Sequence, residues 1–291
     1  MKTRFIVNPR SGRNRLMSQR AMAFAAQHGH TTVPTERAGH AADLARDALA
    51  DGCGLIVAVG GDGTLNEVAS ALLGTTATLG LVPCGSGNGL ARHLGIYGPP
   101  DHIFHTLQHG ESRLIDTGVA DGRPFFTAAG LGFEAEISAR FNRLEQRGFL
   151  RYLMTSAGLF REWQPLDCTV AQGATRERYR AFTLAVANSS QYGNNAHIAP
   201  GASIDDGLLD WCVVPPVTAW NAVPLLWRLF TGTLGRARGV TLRQAAHVVV
   251  ERASPGLIHT DGETHPAGTR VEFSIRPRSL RVLVPAAITA R

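Results

Sequence analysis

Short apolar runs alternate with helix-like segments in the N-terminal part of the chain. The runs Arg4–Val7, Leu55–Val59 and Leu79–Val82 are almost unbroken, as expected of strands that a parallel sheet buries on both faces. Between them, Leu16–His28 spaces its apolar residues as a helix does, and Asn66–Leu73 forms a second such segment. This alternation predicts an α/β domain with a doubly wound parallel sheet.

The pattern changes in the second part of the chain, where short β-prone segments are separated by turn clusters. Phe182–Ala187 and Leu208–Val214 are such segments, and Asp205-Asp206-Gly207 and Asp261-Gly262 are such turns. They predict a mainly antiparallel second domain, a sandwich or a barrel. The expected domains are residues 1–117 and 118–291, with a last strand, 280–284, that could return to the first domain.

The composition is that of a protein with a sizeable core. Of the 291 residues 44% are apolar, yet no apolar run approaches the roughly 18 residues needed to cross a bilayer. The four cysteines form no CxxC pair and the histidines show no metal-ligand spacing, as in a reduced cytosolic protein. We expect a cytoplasmic protein that meets the inner face of the membrane only peripherally.

Arginine carries almost all of the positive charge, since Lys2 is the only lysine. A Walker P-loop and a protein-kinase fold are excluded because each needs its own lysine, and Lys2 at the terminus is a poor Schiff-base residue. Phosphate must then be held by glycine-loop amides, arginines and a metal. The net charge of +6 suits an anionic membrane, a nucleotide or a nucleic acid, or simply reflects an arginine-rich surface.

Gly60-Gly61-Asp62-Gly63-Thr64 lies directly after a predicted buried strand and before a predicted helix. Ligands of open α/β sheets bind at such strand ends. Glycines permit positive φ and close approach to a ligand, and the N–H groups of a helix N-terminus favour an anion. Asp62 puts a carboxylate where a phosphate is expected, which makes sense if Mg²⁺ bridges the two. The alternative is an ordinary turn in which Asp or Thr caps the helix.

Two further strand ends carry related segments. Gly85-Ser86-Gly87-Asn88-Gly89 has the pattern GxGxG, which differs from the GxGxxG of dinucleotide-binding folds. Asn8-Pro9-Arg10-Ser11-Gly12 adds an amide, a hydroxyl and a guanidinium, unless it is only a proline turn. Because parallel strands end at one edge of a sheet, these segments together predict a polyphosphate ligand.

In their order and spacing, NPRSG, GGDGTLNEV and PCGSGNGLAR resemble the diacylglycerol kinase catalytic domain family, which includes bacterial lipid kinases, sphingosine kinases and ceramide kinases. The resemblance continues through Asp116-Thr117-Gly118, the segments AGLGF and DDGLLD, and Asp261-Gly262-Glu263. It implies an NAD kinase/diacylglycerol kinase-like fold with a C-terminal β-sandwich. It also implies a transferase of lipid metabolism that uses ATP and Mg²⁺ to phosphorylate a lipid hydroxyl.

The resemblance implies a role for each matching residue. Asp62 would serve the nucleotide–Mg²⁺ complex, and Glu263 would be the catalytic base. A structural Mg²⁺ would be held by backbone oxygens of Ser203 and Leu208 and by the Asp206 carboxylate. The predicted ATP-binding residues, including neighbours in the glycine loops, are Asn8, Arg10, Ser11, Gly12, Thr35, Gly60, Gly61, Asp62, Gly63, Thr64, Asn66, Glu67, Gly85 and Ser86.

Some of these roles have plain alternatives. The Asp-Gly pairs are also typical of ordinary turns. Asp116 is expected in the Mg²⁺ network. Glu136 lies in a segment similar to one of sphingosine kinases and is a candidate contact of the acceptor, or a solvated carboxylate at a helix start. Many bacterial diacylglycerol kinases have Asp at the position of Gly89, so the acceptor, diacylglycerol-like or sphingoid/ceramide-like, stays open.

Other functions and partners also stay open. A kinase of a soluble acceptor such as NAD, and a non-catalytic nucleotide- or lipid-binding regulator, are the alternatives. Asn66-Glu67 directly after GGDGT favours lipid kinases over NAD kinases, and retention of Asp62 and Glu263 argues against a regulator. We expect ATP, a lipid acceptor and a membrane surface as partners, and no nucleic acid. The sequence does not determine whether the protein forms a homodimer.

One segment bears on the membrane. Trp220, Trp227 and neighbouring leucines lie near Arg228, Arg236 and Arg238. Such a helix either docks at a lipid interface or packs its apolar side onto the second domain.

Overall fold

The computed structural model of the protein describes residues 1–11, 15–142 and 149–286, with the backbone alone at 149–154. The described chain divides into two compact units. Unit 1 comprises Met1–Ile115 and the segment from Arg278 onwards, and unit 2 comprises Asp116–Pro277.

Unit 1 alternates strands and helices. Its elements are β1 (Thr3–Val7), α1 (Arg15–Gln27), β2 (Thr31–Pro34), α2 (His40–Ala50), β3 (Leu55–Gly60), α3 (Asp62–Leu72), β4 (Thr78–Pro83), α4 (Gly89–His93) and α5 (Pro100–His109). The strands pair in parallel in the order β2-β1-β3-β4, and Arg281 and Val282 near the C-terminus pair in parallel with β4. The predicted doubly wound parallel sheet is confirmed.

The sheet of unit 1 is covered on both faces. Phe5 and Val7 of β1 pack in one cluster with Met17 of α1 and Ile103 of α5. Ile6 lies between them and points to the other face, and it too is fully buried. This explains why the strands of unit 1 are apolar at successive positions and not only at alternate ones.

Two details of unit 1 differ from the sequence prediction. The helix predicted over Asn66–Leu73 begins at Asp62, because Gly61 is an extended N-cap (φ −89°, ψ −175°) and a carboxylate is favourable in the first turn of a helix. Strand β2 and helix α2 were not predicted. The strand has only four residues, half of them exposed, and the helix is rich in alanine, so neither shows a long apolar run.

Unit 2 is mainly β. Its elements are β5 (Glu111–Ala120, which begins in unit 1), β6 (Arg123–Phe125), β7 (Ala128–Gly132), α6 (Phe133–Asn142), α7 (Phe149–Glu162), β8 (Leu166–Gln172), β9 (Thr175–Ala181), β10 (Thr183–Ala187), β11 (Leu209–Val214), α8 (Ala219–Phe230), β12 (Thr241–Ala245), β13 (His247–Arg252), β14 (Gly256–Thr260), β15 (Glu263–Ala267) and β16 (Arg270–Val284, which ends in unit 1). A short 3₁₀ helix, Leu234–Arg236, follows α8.

Two antiparallel layers form the core of unit 2. One layer has the order β12-β11-β10-β7-β14-β15, and the other contains β16-β13-β8-β9. Leu131 and Trp211 of the first layer share a buried cluster with Val250 and Phe273 of the second. The predicted antiparallel β-sandwich is confirmed. Among the residues described here, no helix combines the length and the hydrophobicity needed to cross a membrane.

Candidate active site

The strand order of unit 1 creates a switch point at its sheet edge. Strand β1 has β2 on one side and β3 on the other, and ligands of such sheets bind at the carboxyl ends of the two strands that flank a switch point, here β1 and β3. Asn8 follows β1 and donates its backbone N–H to the carbonyl of Val59 (3.0 Å). The N–H of Thr35, which follows β2, binds the carbonyl of Val7 (2.8 Å). The structure therefore brings Asn8 and Thr35 to the same edge.

The Asn8 side chain ties the first strand end to helix α3. Its Nδ2 donates to Thr64 Oγ1 (2.9 Å), and its Oδ1 accepts from the backbone N–H of Arg10 (2.9 Å). The hydroxyl and the N–H of Ser11 both contact the Asn8 carbonyl (3.2 Å each). Four of the predicted ATP-binding residues thus form one hydrogen-bonded group. Gly12 lies outside the described residues.

The two glycine loops touch each other. The N–H of Cys84 binds the Gly60 carbonyl (2.7 Å), and a Cβ added to Gly85 would lie only 2.8 Å from the Gly61 Cα. A Cβ on Gly87 would lie 2.9 Å from an Asp62 carboxylate oxygen. The loop glycines, all within the described part of the chain, have no positive φ. Our expectation of positive φ was wrong here. At Gly85 and Gly87, close contact with Gly61 and with the Asp62 side chain is what excludes a larger residue.

Asp62 is held by the second glycine loop. Its Oδ2 accepts from the N–H of Asn88 (2.9 Å), and its Oδ1 accepts from the N–H of Gly89 (3.0 Å). Asn88 adopts the left-handed conformation (φ 53°), and its amide both donates to and accepts from the backbone of Gly85. The αL residue of this loop is therefore an asparagine, which tolerates αL better than most residues. In the sequence, the Asn between two glycines is the signal from which this αL residue could have been predicted.

Glu67 has a structural task that the sequence analysis missed. Its two carboxylate oxygens accept the N–H groups of Gly39 (2.8 Å) and Ala41 (3.0 Å), at the start of α2. This satisfies N–H groups that a helix start leaves without partners. Asn66 is half-buried one residue earlier on α3, whereas Ser86 is exposed between Gly85 and Gly87. Gly63 is exposed, and a Cβ there would meet open space.

In unit 2, the loop from Ser203 to Leu208 is rich in oxygen atoms that could bind a cation. Asp206 Oδ1 accepts the N–H of Leu208 (3.0 Å), and Asp205 Oδ1 accepts the Ser203 hydroxyl (2.9 Å). The buried Asp116 fixes this loop from beneath, because its Oδ2 accepts the Gly207 N–H (2.7 Å). Its own N–H binds the Ile204 carbonyl (2.7 Å).

Negative charge accumulates beside this loop. Burial, followed by the nearby charge of Asp206, raises the pKa of Asp210, although a hydrogen bond from Gln244 (3.2 Å) opposes the shift. Within the described residues, no three His, Cys, Asp or Glu side chains form a metal cluster. A site made of one carboxylate and backbone oxygens needs no such cluster, and its all-oxygen donor set is what Mg²⁺ prefers. The residues present therefore fit the ion.

Glu263 begins β15 at the end of a tight hairpin. Asp261 (φ 50°) and Gly262 (φ 86°) form the turn, and Thr260 pairs with Glu263. The Asp261 carboxylate accepts backbone N–H groups of Phe126 (2.8 Å), Thr127 (2.8 Å) and Ala128 (3.1 Å), and the Thr127 hydroxyl. The Asp-Gly turn is visible in the sequence, whereas its attachment to a segment more than a hundred residues earlier is not. This attachment fixes the position from which Glu263 projects.

A buried polar cluster, also missed, lies behind this hairpin. His259 Nδ1 accepts the Gly262 N–H (3.3 Å), and its Nε2 lies 3.1 Å from Glu134 Oε1. Among the described residues, neither His259 Nε2 nor Glu134 Oε1 has a hydrogen-bond partner. The Tyr192 hydroxyl binds the other oxygen of Glu134. Glu136, one half-turn further along α6, instead pairs with Arg140 (3.5 Å) and is partly exposed.

Comparison with known proteins covers both units. Residues 2–120 match the diacylglycerol kinase catalytic domain, and residues 127–284 match the YegS C-terminal NAD kinase beta sandwich-like domain. A protein of Pseudomonas fluorescens, named probable lipid kinase YegS-like, is 33% identical over 86% of this chain and 84% of its own length. A protein of the same name from Pseudomonas aeruginosa is 32% identical over 85% of this chain and 82% of its own.

Solved structures show the same fold. A putative diacylglycerol kinase from Bacillus anthracis is 20% identical with a TM-score of 0.80, and the match covers 99% of this chain and 96% of that one. An NAD kinase from Archaeoglobus fulgidus in complex with ATP is 12% identical with a TM-score of 0.56, over 97% and 93% of the two chains. At these identities the structures establish the fold alone. The domain matches and the Pseudomonas relatives show more: the chain belongs to the diacylglycerol kinase catalytic domain family of kinases, in its YegS-like group.

Proposed function

We propose that the protein is an ATP- and Mg²⁺-dependent lipid kinase. A lipid hydroxyl oxygen forms a bond to the γ-phosphorus of ATP, and the bond from that phosphorus to the β–γ bridging oxygen breaks. The hydroxyl proton passes to a carboxylate base, and ADP leaves with the electron pair of the broken bond. Such transfer depends mainly on positioning and on neutralising charge around the phosphates.

The observation that supports this proposal most is the pair of interlocked glycine loops. They lie at the carboxyl ends of β3 and β4, with Asp62 held between two N–H groups of the second loop. A carboxylate beside a phosphate site would repel the nucleotide unless a cation lay between them. Asp62 would therefore hold Mg²⁺, which when bound would neutralise charge on the phosphate oxygens.

Each of the two domains predicted from the sequence receives one part of the proposed reaction. Residues 1–117 would bind ATP through Asn8, Ser11, Thr35 and the two glycine loops. Residues 118–291 would receive the acceptor, with Glu263 as the base and the Ser203–Leu208 loop as a structural Mg²⁺ site. Asp116 would act by holding that loop, since it already binds the Gly207 N–H. Glu136 is a weaker candidate for the acceptor, because it lies in an ion-pair group in which Arg140 contacts both Glu136 (3.5 Å) and Glu162 (3.3 Å).

The names of the sequence relatives support a lipid as the acceptor. The Pseudomonas relatives are named probable lipid kinases, and the match to them extends over most of both chains. A lipid acceptor also requires access to a membrane surface, which we propose is the inner face of the cytoplasmic membrane. The fold itself is compatible with a lipid or a soluble acceptor, since it is shared with a putative diacylglycerol kinase and with an NAD kinase.

A phosphorylation assay tests the proposal. Purified protein is incubated with radiolabelled ATP and with diacylglycerol, sphingosine or ceramide in detergent micelles, or with NAD in solution. We expect label in one lipid with Mg²⁺ and none after chelation with EDTA. Label in NAD alone would show that the acceptor is a soluble molecule and not a lipid. Tight ATP binding without phosphorylation of any acceptor would indicate a non-catalytic regulator.

A further inference from the structure

Helix α8 exposes large apolar side chains along one face. Trp220 is 93% exposed, Val223 72% and Trp227 70%, and Leu226 and Phe230 are exposed beside them. The spacing of these residues places them on one side of a helix. Large contiguous apolar patches on a protein surface mark interaction sites, because leaving them in water costs free energy.

The opposite face of α8 packs onto the rest of unit 2. Leu225 and Leu229 pack against a buried cluster that includes Cys212, Val214 and Leu234. A capping box between Thr218 and Asn221 fixes the start of the helix. The two uses of this helix that the sequence left open are therefore not exclusive. One face packs on the domain, and the tryptophan face is held outwards in a defined orientation.

The charged side chains of α8 and of the chain on either side of it are all positive. From Trp211 to Val250 the chain contains no Asp or Glu. Arg228, Arg236 and Arg238 lie on the helix and in the turn that follows it. Arg243, in contrast, is neutralised by Glu177 (2.7 Å). An anionic bilayer offers negative headgroups to the arginines and an apolar layer to the tryptophans, and both types of group are typical of helices that lie in the interface.

A shallow groove joins the two kinds of side chain. Its volume is about 490 Å³, and Val223, Pro224, Trp227, Arg228 and Thr233 line it. Arg228 is half-buried there, with Nη1 3.5 Å from the Thr233 carbonyl. The groove thus presents a guanidinium next to apolar walls, which suits a lipid phosphate with the start of its acyl chains.

We infer that α8 is the membrane-docking element of the protein and lies in the plane of an anionic lipid surface. Trp220 and Trp227 enter the headgroup layer, and Arg228, Arg236 and Arg238 contact lipid phosphates. The inference deepens the proposed lipid kinase function, since it states how the enzyme reaches an acceptor within a membrane. Docking itself needs neither ATP nor acceptor and can be measured without them.

Vesicle binding of single and double variants tests the inference. The vesicles contain phosphatidylcholine with roughly a third of phosphatidylglycerol, a lipid that gives them negative charge. Burial of one large side chain is worth about tenfold in partitioning, so Trp220→Ala/Trp227→Ala should bind on the order of a hundredfold more weakly. The matched control is Leu16→Ala/Met22→Ala, which removes exposed apolar side chains of α1 and should bind as wild type does.

Two further measurements separate the contributions of the arginines and of the tryptophans to vesicle binding. Arg236→Gln/Arg238→Gln should weaken binding by about fivefold per arginine, and only to vesicles with phosphatidylglycerol. Trp220 and Trp227 are far more exposed than Trp163 and Trp211, so their fluorescence should shift to the blue on binding and be quenched by brominated phosphatidylcholine. Vesicle binding unchanged in the double tryptophan variant would overturn the inference. A wild-type dimer that the same variant converts to a monomer would also overturn it, by assigning the face to a second copy.

Failure of the proposed lipid kinase function can be distinguished from failure of the docking assignment. Short-chain diacylglycerol dissolved as monomers, without detergent, offers no interface for docking, so the tryptophan variant should phosphorylate it at the wild-type rate. If no lipid is phosphorylated but vesicle binding depends on the tryptophans, the lipid kinase proposal fails and the docking assignment stands. If micellar lipid is phosphorylated but vesicle binding ignores the tryptophans, only the docking assignment fails.

Discussion

At the scale of single residues, Asp62 shows how a motif acquires its geometry. Both of its oxygens accept N–H groups of the second glycine loop. Asp62→Asn keeps the shape but removes the negative charge and turns one acceptor into a donor facing an N–H. We expect Mg²⁺-dependent phosphorylation to fall by about 10²-fold or more, measured with saturating lipid, because the charge next to the phosphates is lost.

The control for Asp62 is Asp101→Asn, which changes an exposed carboxylate in the first turn of α5. Its activity should equal that of wild type. The Asp62→Asn protein must keep a cooperative melting transition. Full activity in that folded variant would remove Asp62 from the proposed site.

Glu263 is the second residue-scale prediction. A lipid hydroxyl must lose its proton as it attacks, and a positioned base contributes about 10²–10⁴-fold. Glu263→Gln should therefore lower kcat by that range with ATP affinity nearly unchanged, because the glycine loops belong to the other unit. Glu263→Asp retains the basicity and should keep more activity than Gln. Loss of ATP binding in parallel with activity would instead make Glu263 a nucleotide or metal residue.

At the scale of elements, the hairpin that carries Glu263 depends on Asp261. Asp261→Ala leaves the N–H groups of Phe126, Thr127 and Ala128 without their acceptor, and each such loss costs about 1–3 kcal/mol when buried. We expect the free energy of unfolding to fall by about 3 kcal/mol or more in urea titrations. Activity should fall as well, because the hairpin no longer holds Glu263 in place.

Asp121 provides a matched control for that change. It occupies an Asp-Gly turn with similar positive φ values, and its carboxylate accepts an exposed N–H, that of Glu272 (2.8 Å). Asp121→Ala should cost only about 1 kcal/mol. Equal destabilisation by the two variants would show that the turn itself, and not the long-range attachment, determines stability.

The Ser203–Leu208 loop is the second element whose role can be tested. A bound ion stabilises the folded state by mass action, so Mg²⁺ should raise the melting temperature of the wild-type protein. Asp206→Ala should lose most of that response, because it removes the loop carboxylate proposed to bind the ion. Asp205→Ala, which removes the neighbouring carboxylate, should keep the response. Identical responses of Asp206→Ala and wild type would exclude a metal site in this loop.

At the scale of the whole molecule, the net charge of +6 acts on every encounter with an anionic surface. The Debye length falls from about 10 Å at 0.1 M salt to about 3 Å at 1 M. Sedimentation with vesicles containing phosphatidylglycerol should therefore decrease as salt increases. A fraction of the protein should stay bound to the vesicles even at high salt, because salt does not screen the burial of apolar side chains. Indifference to both lipid charge and salt would leave hydrophobic contact as the sole attraction.

The sequence predicted the elements that bury an apolar face. The runs at Arg4–Val7 and Leu55–Val59 became central strands, since only a covered parallel sheet accepts apolar residues at successive positions. Strand β2 and helix α2 escaped prediction because their stability comes from neighbours. Helix α2 begins at N–H groups that Glu67 accepts from α3, a contact between residues far apart in sequence.

The sequence by itself determined the family, the two fold types and the segments that gather at the sheet edge. Local spacing and chemistry, such as glycines after an apolar run, specify these features. Only the tertiary structure decided which groups hold one another. The Asn88 and Gly89 amides on Asp62, the attachment of Asp261 to Phe126–Ala128 and the outward face of α8 all depend on contacts between distant segments. Such contacts leave no periodic signal in the chain, because the partners are selected by packing and not by spacing.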